Sequence, residues 1–264
     1  MLRERVLTAI IGLPLLIAAV WFGAPWFSIL IVAAVILGII EFYRLVTLAN
    51  SKPFAFIGIA WSVLLLLTPY CPFVQCTSLV MTVGISISLF WLLAKSSDST
   101  AFSNWAWTVG GVLYIGWMAT YWIYLRDLES GMLWTFWTLF TVFASDIGAF
   151  FVGRTWGKHA MAPVISPKKT WEGAFGGLFS SILVSIVFGI AFSLPLTWWQ
   201  LGLFGTGINI LAQIGDLIES LLKRNTHVKN ASNLLPGHGG MLDRLDSLLL
   251  SGAFVYYVIL FFIR

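Results

Sequence analysis

Nine apolar runs separated by short polar stretches make up most of this chain. They fall at Val6–Phe22, Trp26–Ile40, Phe54–Thr68, Leu79–Ala94, Phe102–Leu125, Leu133–Phe151, Gly173–Leu194, Trp198–Leu222 and Met241–Ile263. A helix needs about 20 mostly apolar residues to cross the hydrocarbon core of a bilayer. Pro25, Pro53, Pro69, Pro72 and Pro195 sit in the connections, where a missing backbone N–H costs least. The pattern predicts an all-α, polytopic transmembrane protein of about nine spans.

Composition points the same way. Of 264 residues, 59% are hydrophobic and 10% charged, against about 25% charged in a soluble domain. The mean hydropathy is +0.92. A water-soluble fold of this make-up would expose large apolar patches. The 14 Trp suit the interfacial belts and helix packing of a membrane protein. Two Cys rule out a disulfide-stapled mini-protein. Cys71 and Cys76 flank a short Pro-containing turn; a strained disulfide is open to them, but two incidental small apolar residues are the expectation. The apolar run after Arg3 and Arg5 has no small-x-small exit, so the first helix is expected to stay as a signal-anchor.

The placement of charge predicts orientation, because cytoplasmic loops carry the excess of Lys and Arg. With the N-terminus inside, nine spans put Arg3, Arg5, Arg44, Lys52, Lys95, Arg154, Lys158, Lys168, Lys169, Lys223, Arg224, Lys229 and Arg244 on the inner side. Only Arg126 and Arg264 fall outside. The expectation is a multi-pass protein of the cell (inner) membrane with a cytoplasmic N-terminus and an external C-terminus.

The two parts of the chain differ. Residues 1–139 read as N-terminal transmembrane helices with nearly featureless loops. Residues 140–264 read as a C-terminal transmembrane catalytic region with two cytoplasmic loops, Gly153–Glu172 and Lys223–Gly240, dense in Lys, Arg, His, Gly and Pro. No internal repeat is visible, which weighs against an inverted-repeat transporter.

Carboxylates inside a membrane segment are costly and are functional candidates by default. Asp146 lies in the sixth run, Asp216 and Glu219 in the eighth, and Asp243 and Asp246 open the ninth. The i,i+3 spacing puts Asp216 and Glu219 on one helix face, and likewise Asp243 and Asp246. Ser220 and Lys223 continue the Asp216 stripe. Clustered carboxylates suit a hard divalent cation, Mg²⁺ above all. The competing reading is a set of helix-end charges paired with Arg224 and Arg244. Asp216 is expected to close the eighth helix and Asp243 to open the ninth, with the loop between them returning the chain so that both face one point.

The stretch Ser166-Pro167-Lys168-Lys169-Thr170-Trp171-Glu172-Gly173 offers two Lys, two hydroxyls and a helix start that favours phosphate. Pro236-Gly237-His238-Gly239-Gly240 lets backbone approach a ligand closely. His159 and His227 read as solvated loop residues, and Gly173 and Gly177 as helix-packing positions. There is no P-loop, H-E-x-x-H or G-x-S-x-G pattern, and nothing argues for nucleic-acid binding.

Two segments carry a family resemblance. Ser220-Leu221-Leu222-Lys223-Arg224, then Lys229-Asn230, then Leu235-Pro236-Gly237-His238-Gly239-Gly240-Met241-Leu242-Asp243-Arg244-Leu245-Asp246 resembles the signature of the phosphatidate cytidylyltransferases (CDP-diacylglycerol synthases). Ser145-Asp146, Gly153-Arg154, Gly157-Lys158 and Ser166 through Gly173 resemble that family's upstream segment. The likeness covers about residues 140–250; the first half resembles the family only in hydropathy. Where the family usually has Lys-Asp, this chain has Lys229-Asn230, an amide that keeps an oxygen ligand and loses a charge.

The resemblance implies a Mg²⁺-dependent reaction of CTP with phosphatidate to give CDP-diacylglycerol and pyrophosphate, in phospholipid biosynthesis. It assigns Asp216, Asp243 and Asp246 to metal, adds Asp146 as a further candidate and allows a second cation. Lys168, Lys169, Lys223, Arg224, His238 and Arg244 are then expected to hold phosphates, with Ser166, Thr170, Gly239 and Gly240 beside them. CTP, phosphatidate and membrane lipid are the expected partners, and a homodimer is compatible with this reading. The competing functions are transport or flipping of an anionic lipid, and cytidylyl transfer to another lipid phosphate.

Overall fold

The computed structural model describes residues 2–226 and 239–263, with Leu2–Ala9 described as backbone only. Each apolar run meets a helix. These are α1 (Leu2–Phe22), α2 (Trp26–Leu48), α3 (Ala55–Leu67) with a 3₁₀ turn at Thr68–Tyr70, and α4 (Cys76–Ala94). The fifth run is α5 (Ala101–Gly111) continuing through a π-helical segment (Val112–Trp117) into α6 (Met118–Asp127). Then follow α7 (Gly131–Trp156), α8 (Trp171–Ala191), α9 (Trp198–Asn225) and α10 (Leu242–Phe262). Six of them, α2, α4, α7, α8, α9 and α10, are long and apolar enough to cross a bilayer. The chain is a multi-pass helical membrane protein.

Its surface is that of a protein solvated by lipid. Phe56, Phe90 and Phe179 are exposed, while Ser62, Thr108, Thr120, Thr135, Thr138, Ser181 and Ser185 are buried. Several of these hydroxyls donate back to the carbonyl one turn earlier, as Thr108 does to Asn104 and Thr138 to Trp134, both at 2.8 Å. Such bonds leave small, self-satisfied polar surfaces that let helices approach closely in hydrocarbon.

Two sequence expectations are corrected here. The stretch after α7 is not a plain loop: α7 runs on to Trp156, and β1 (Ala160–Ala162) pairs antiparallel with β2 (Ser166–Thr170). This hairpin is the departure from an all-α chain among the described residues. Cys71 and Cys76 form a disulfide, because the turn before α4 brings their Cα atoms to 6.3 Å.

The chain divides into two compact units. The first comprises Met1–Tyr124 and Asn225–Leu245. Its core is laid down by α2, α3 and the π-helical segment, with Ile39, Phe42, Leu45, Trp61, Leu65, Val112 and Ile115 buried. The Tyr43 hydroxyl donates to the Thr108 carbonyl at 2.8 Å.

The second unit comprises Leu125–Arg224 and Asp246–Arg264. There α7 and α8 pack closely through small residues. A Cβ at Gly173 would lie 2.9 Å from the Ala149 carbonyl, and one at Gly177 would lie 2.9 Å from that of Ser145, so the helix-packing expectation for these glycines holds. A buried polar line crosses this packing: Asn209 donates to Ser145 Oγ (2.7 Å), and Gln213 donates to Asn209 Oδ1 (2.9 Å) and to the Ala174 carbonyl (3.3 Å).

Candidate active site

In the second unit, α9 and the start of its α10 portion bring together three carboxylates. Asp216, Glu219 and Asp246 each offer an oxygen, and these atoms all lie within 4.8 Å of one another. Asp216 and Glu219 share a face of α9, as their spacing predicts. The Asp216 side chain is 38% exposed and that of Glu219 only 1%. Asp246 is buried, and the charges of Asp216 and Asp146 both act on it.

Gly215 makes this meeting possible. A Cβ there would run into the Asp246 backbone carbonyl. Without it, α9 rests directly on the chain at Asp246, and the carboxylates of the two segments converge.

Like charges at this range repel strongly in a low-dielectric setting. Two ammonium groups offset part of that repulsion. Lys169 Nζ lies 2.7 Å from Asp216 Oδ2, and Lys223 Nζ lies 2.5 Å from Glu219 Oε2. Three carboxylates against two lysines leave a formal excess of one negative charge. All the donors are hard oxygens, the chemistry that Mg²⁺ prefers. The residues present therefore fit a divalent cation.

The structure revises several expectations about this region. α9 runs on to Asn225, so Asp216 lies more than two turns inside the helix and does not close it. Leu217, Ile218, Leu221 and Leu222 prolong its apolar pattern, and the Glu219–Lys223 pair at i,i+4 supports the extra turns. Glu219 joins the carboxylate group in the place expected for Asp243. The i,i+3 stripe already marked Glu219 in the sequence, and its burial beside Lys223 is what the sequence could not show.

The helix start at α8 is also not an open phosphate cradle. Thr170 Oγ1 caps it by accepting the Gly173 N–H at 3.1 Å, so that oxygen is engaged. Glu172 places a carboxylate in the first turn, where the helix dipole favours negative charge. His159, 78% exposed, meets Glu172 through Nδ1 at 2.6 Å, so it is solvated as expected but also paired.

Of the two hairpin lysines, Lys169 turns to Asp216 and to the Gln213 carbonyl (3.5 Å), whereas Lys168 is exposed. Ser166, partly buried, opens β2. The Arg224 Nε donates to the Ile165 carbonyl at 3.0 Å and ties the end of α9 to the hairpin turn.

The described stretch Gly239–Leu245 of the signature lies in the first unit. Gly239 has φ +83°, a left-handed conformation that favours glycine. A Cβ there would also stand 2.7 Å from Asp243 Oδ2. Asp243 turns back onto its own segment, accepting the Gly240 N–H at 3.0 Å. Arg244 is exposed. The Leu242 N–H, at the start of α10, is taken by Glu41 Oε2 at 2.8 Å. Glu41 carries no motif and was not a sequence candidate. His227, Lys229, Asn230, Pro236, Gly237 and His238 lie outside the described residues.

The cytidylyltransferase family model matches residues 3–262. The phosphatidate cytidylyltransferase of Bacillus subtilis is 31% identical over 268 residues, covering 99% of this chain and 98% of that protein. The enzyme of the same name from Staphylococcus epidermidis is 33% identical over 250 residues, with 93% and 94% covered. That of Brucella suis is 31% identical over 263 residues, with 97% and 92% covered.

Proposed function

The chain belongs to the cytidylyltransferase family, and on that premise we propose that it transfers the cytidylyl group of CTP to phosphatidate at the cytoplasmic face of the cell membrane. The observation that carries the reading is the convergence of Asp216, Glu219 and Asp246 with Lys169 and Lys223 beside them. Relatives across nearly the full length bear the name phosphatidate cytidylyltransferase, which supports the choice of substrates. The nine-span topology with a cytoplasmic N-terminus belongs to the same proposal.

In the reaction, a phosphate oxygen of phosphatidate attacks the α-phosphorus of CTP. The bond from that phosphorus to the bridging oxygen breaks, and pyrophosphate leaves. The attacking phosphate is already ionised, so little base chemistry is needed. What the protein must supply is alignment and neutralisation of charge.

Asp216, Glu219 and Asp246 would hold Mg²⁺, and the signature adds Asp146 and Asp243 as ligands to it or to a second cation. A divalent ion held there would supply positive charge to offset that of the phosphate oxygens. Lys168, exposed on the hairpin, offers a point charge to an incoming phosphate. Lys169 and Lys223, paired with Asp216 and Glu219, bring two ammonium groups beside the carboxylates, within reach of phosphate oxygens bound there. The signature implies further phosphate contacts from Ser166, Arg224, His238, Arg244 and the Gly239–Gly240 backbone, while Thr170 caps the start of α8.

Purified protein in detergent with CTP, phosphatidate and Mg²⁺ tests the proposal. It should release pyrophosphate only when all three are present. Release independent of the lipid, or none at all from folded protein, would contradict it.

A further inference from the structure

We infer that Glu41 is a positioning residue for cytidylyl transfer, holding the start of α10 and with it the Gly239–Asp243 segment of the signature. The inference rests on the function proposed above. α2 is almost wholly apolar through Ile40, and in its last third Glu41 is 1% exposed while Arg44, three positions on, is exposed. A buried carboxylate persists only where hydrogen bonds or charge compensate its lost hydration.

Part of that compensation is the Leu242 N–H, 2.8 Å from Oε2 and 201 positions away in sequence. The first amides of a helix have no partner within it, and they form the positive end of its dipole. A helix usually meets this need with a local side chain. α10 receives it from α2.

A second grip lies one turn back on the same helix. A Cβ at Gly38 would approach Leu245 Cδ1 to 3.0 Å, so α2 also fits closely against the first turn of α10. The segment leading into these two points is itself tightly turned. Gly239 is in its left-handed conformation, and Asp243 folds back on Gly240. Glu41 therefore fixes the amide at the pivot of the segment and acts through it.

The role depends on reach and on an acceptor oxygen, and this separates it from a demand for buried charge. Glu41→Gln keeps length and acceptor but loses the charge. Glu41→Asp keeps the charge but withdraws the oxygen by one methylene. Turnover per folded molecule should stay within about threefold of the wild type in Glu41→Gln and fall at least about tenfold in Glu41→Asp and Glu41→Ala. Hydrogen exchange at the Leu242 amide should follow the same order.

A Glu41→Asp protein as fast as Glu41→Gln overturns the inference. So does a series in which Glu41→Asp and Glu41→Ala match the wild type, or in which only folded yield changes. If the wild-type chain releases no pyrophosphate from CTP and phosphatidate, the proposed function falls instead. The Leu242 exchange rates alone then decide whether Glu41 holds α10.

Discussion

Gly215→Ala is the smallest change that should disable the site without touching a charged group. The new methyl would overlap the Asp246 carbonyl, and Cβ atoms do not come within 3.0 Å of such an atom, ordinary contact beginning at 3.4 Å. Neither partner is the end of a flexible side chain, so the α9 and α10 backbones must part, by roughly 1 Å, a misplacement that can cost about 10²-fold in rate. The overpacking itself should destabilise by about 1–3 kcal/mol. These effects are separable. Pyrophosphate release under saturating CTP, phosphatidate and Mg²⁺, per folded molecule, should drop about a hundredfold, while detergent-solubilised protein still unfolds cooperatively at a modestly lower temperature. Raising Mg²⁺ should restore little, because the donors remain but no longer converge. Wild-type turnover in folded Gly215→Ala would refute the claim that this contact sets the carboxylate geometry.

Lys169→Ala removes the ammonium 2.7 Å from Asp216 and should lower kcat/KM by the equivalent of about 1.5–3 kcal/mol, a charge-assisted bond; Lys168→Ala, on an exposed residue, should cost less, and equal effects in steady-state kinetics would contradict the different placements of the two lysines. The partition of Lys and Arg predicts that reporters fused after Lys95 and after Arg264 report inside and outside respectively; both on one side would defeat the nine-span topology. The Cys71–Cys76 disulfide lies in a connection that this topology puts outside, where disulfides persist, so a membrane-impermeant thiol reagent should label intact cells only after reduction. Labelling without reduction, or labelling confined to opened cells, would contradict that placement.

Much of this architecture was legible in the hydrophobic pattern because lipid leaves a helix few alternatives. With no water to satisfy its backbone, an apolar run of this length must be helical, and all nine runs are. Boundaries were less legible. α7 and α9 extend past their apolar stretches to Trp156 and Asn225, since interfacial turns are held by ion pairs and caps, which hydropathy does not register. Asp216 and Asp246 were visible as costly charges in apolar context. Glu219 was seen but not placed in the group, because its burial depends on how α9 packs. The hairpin hid in a stretch of Pro and Lys whose pairing has no local signature. Glu41 was invisible for another reason: its partner is a backbone amide 201 positions away, and backbone amides leave no mark in a sequence.

The central claim is that Asp216, Glu219 and Asp246 hold a divalent cation for cytidylyl transfer, and Mn²⁺ binding read by electron paramagnetic resonance tests it most directly. Asp246→Asn and Asp216→Asn each remove a charge while nearly keeping shape. In folded protein, each should weaken Mn²⁺ binding at least about tenfold, the scale of one lost charged contact. Pyrophosphate release should be lost at ordinary Mg²⁺ and recover in part as Mg²⁺ rises. Unchanged Mn²⁺ affinity in both variants, with turnover and Mg²⁺ dependence like the wild type, would contradict the account.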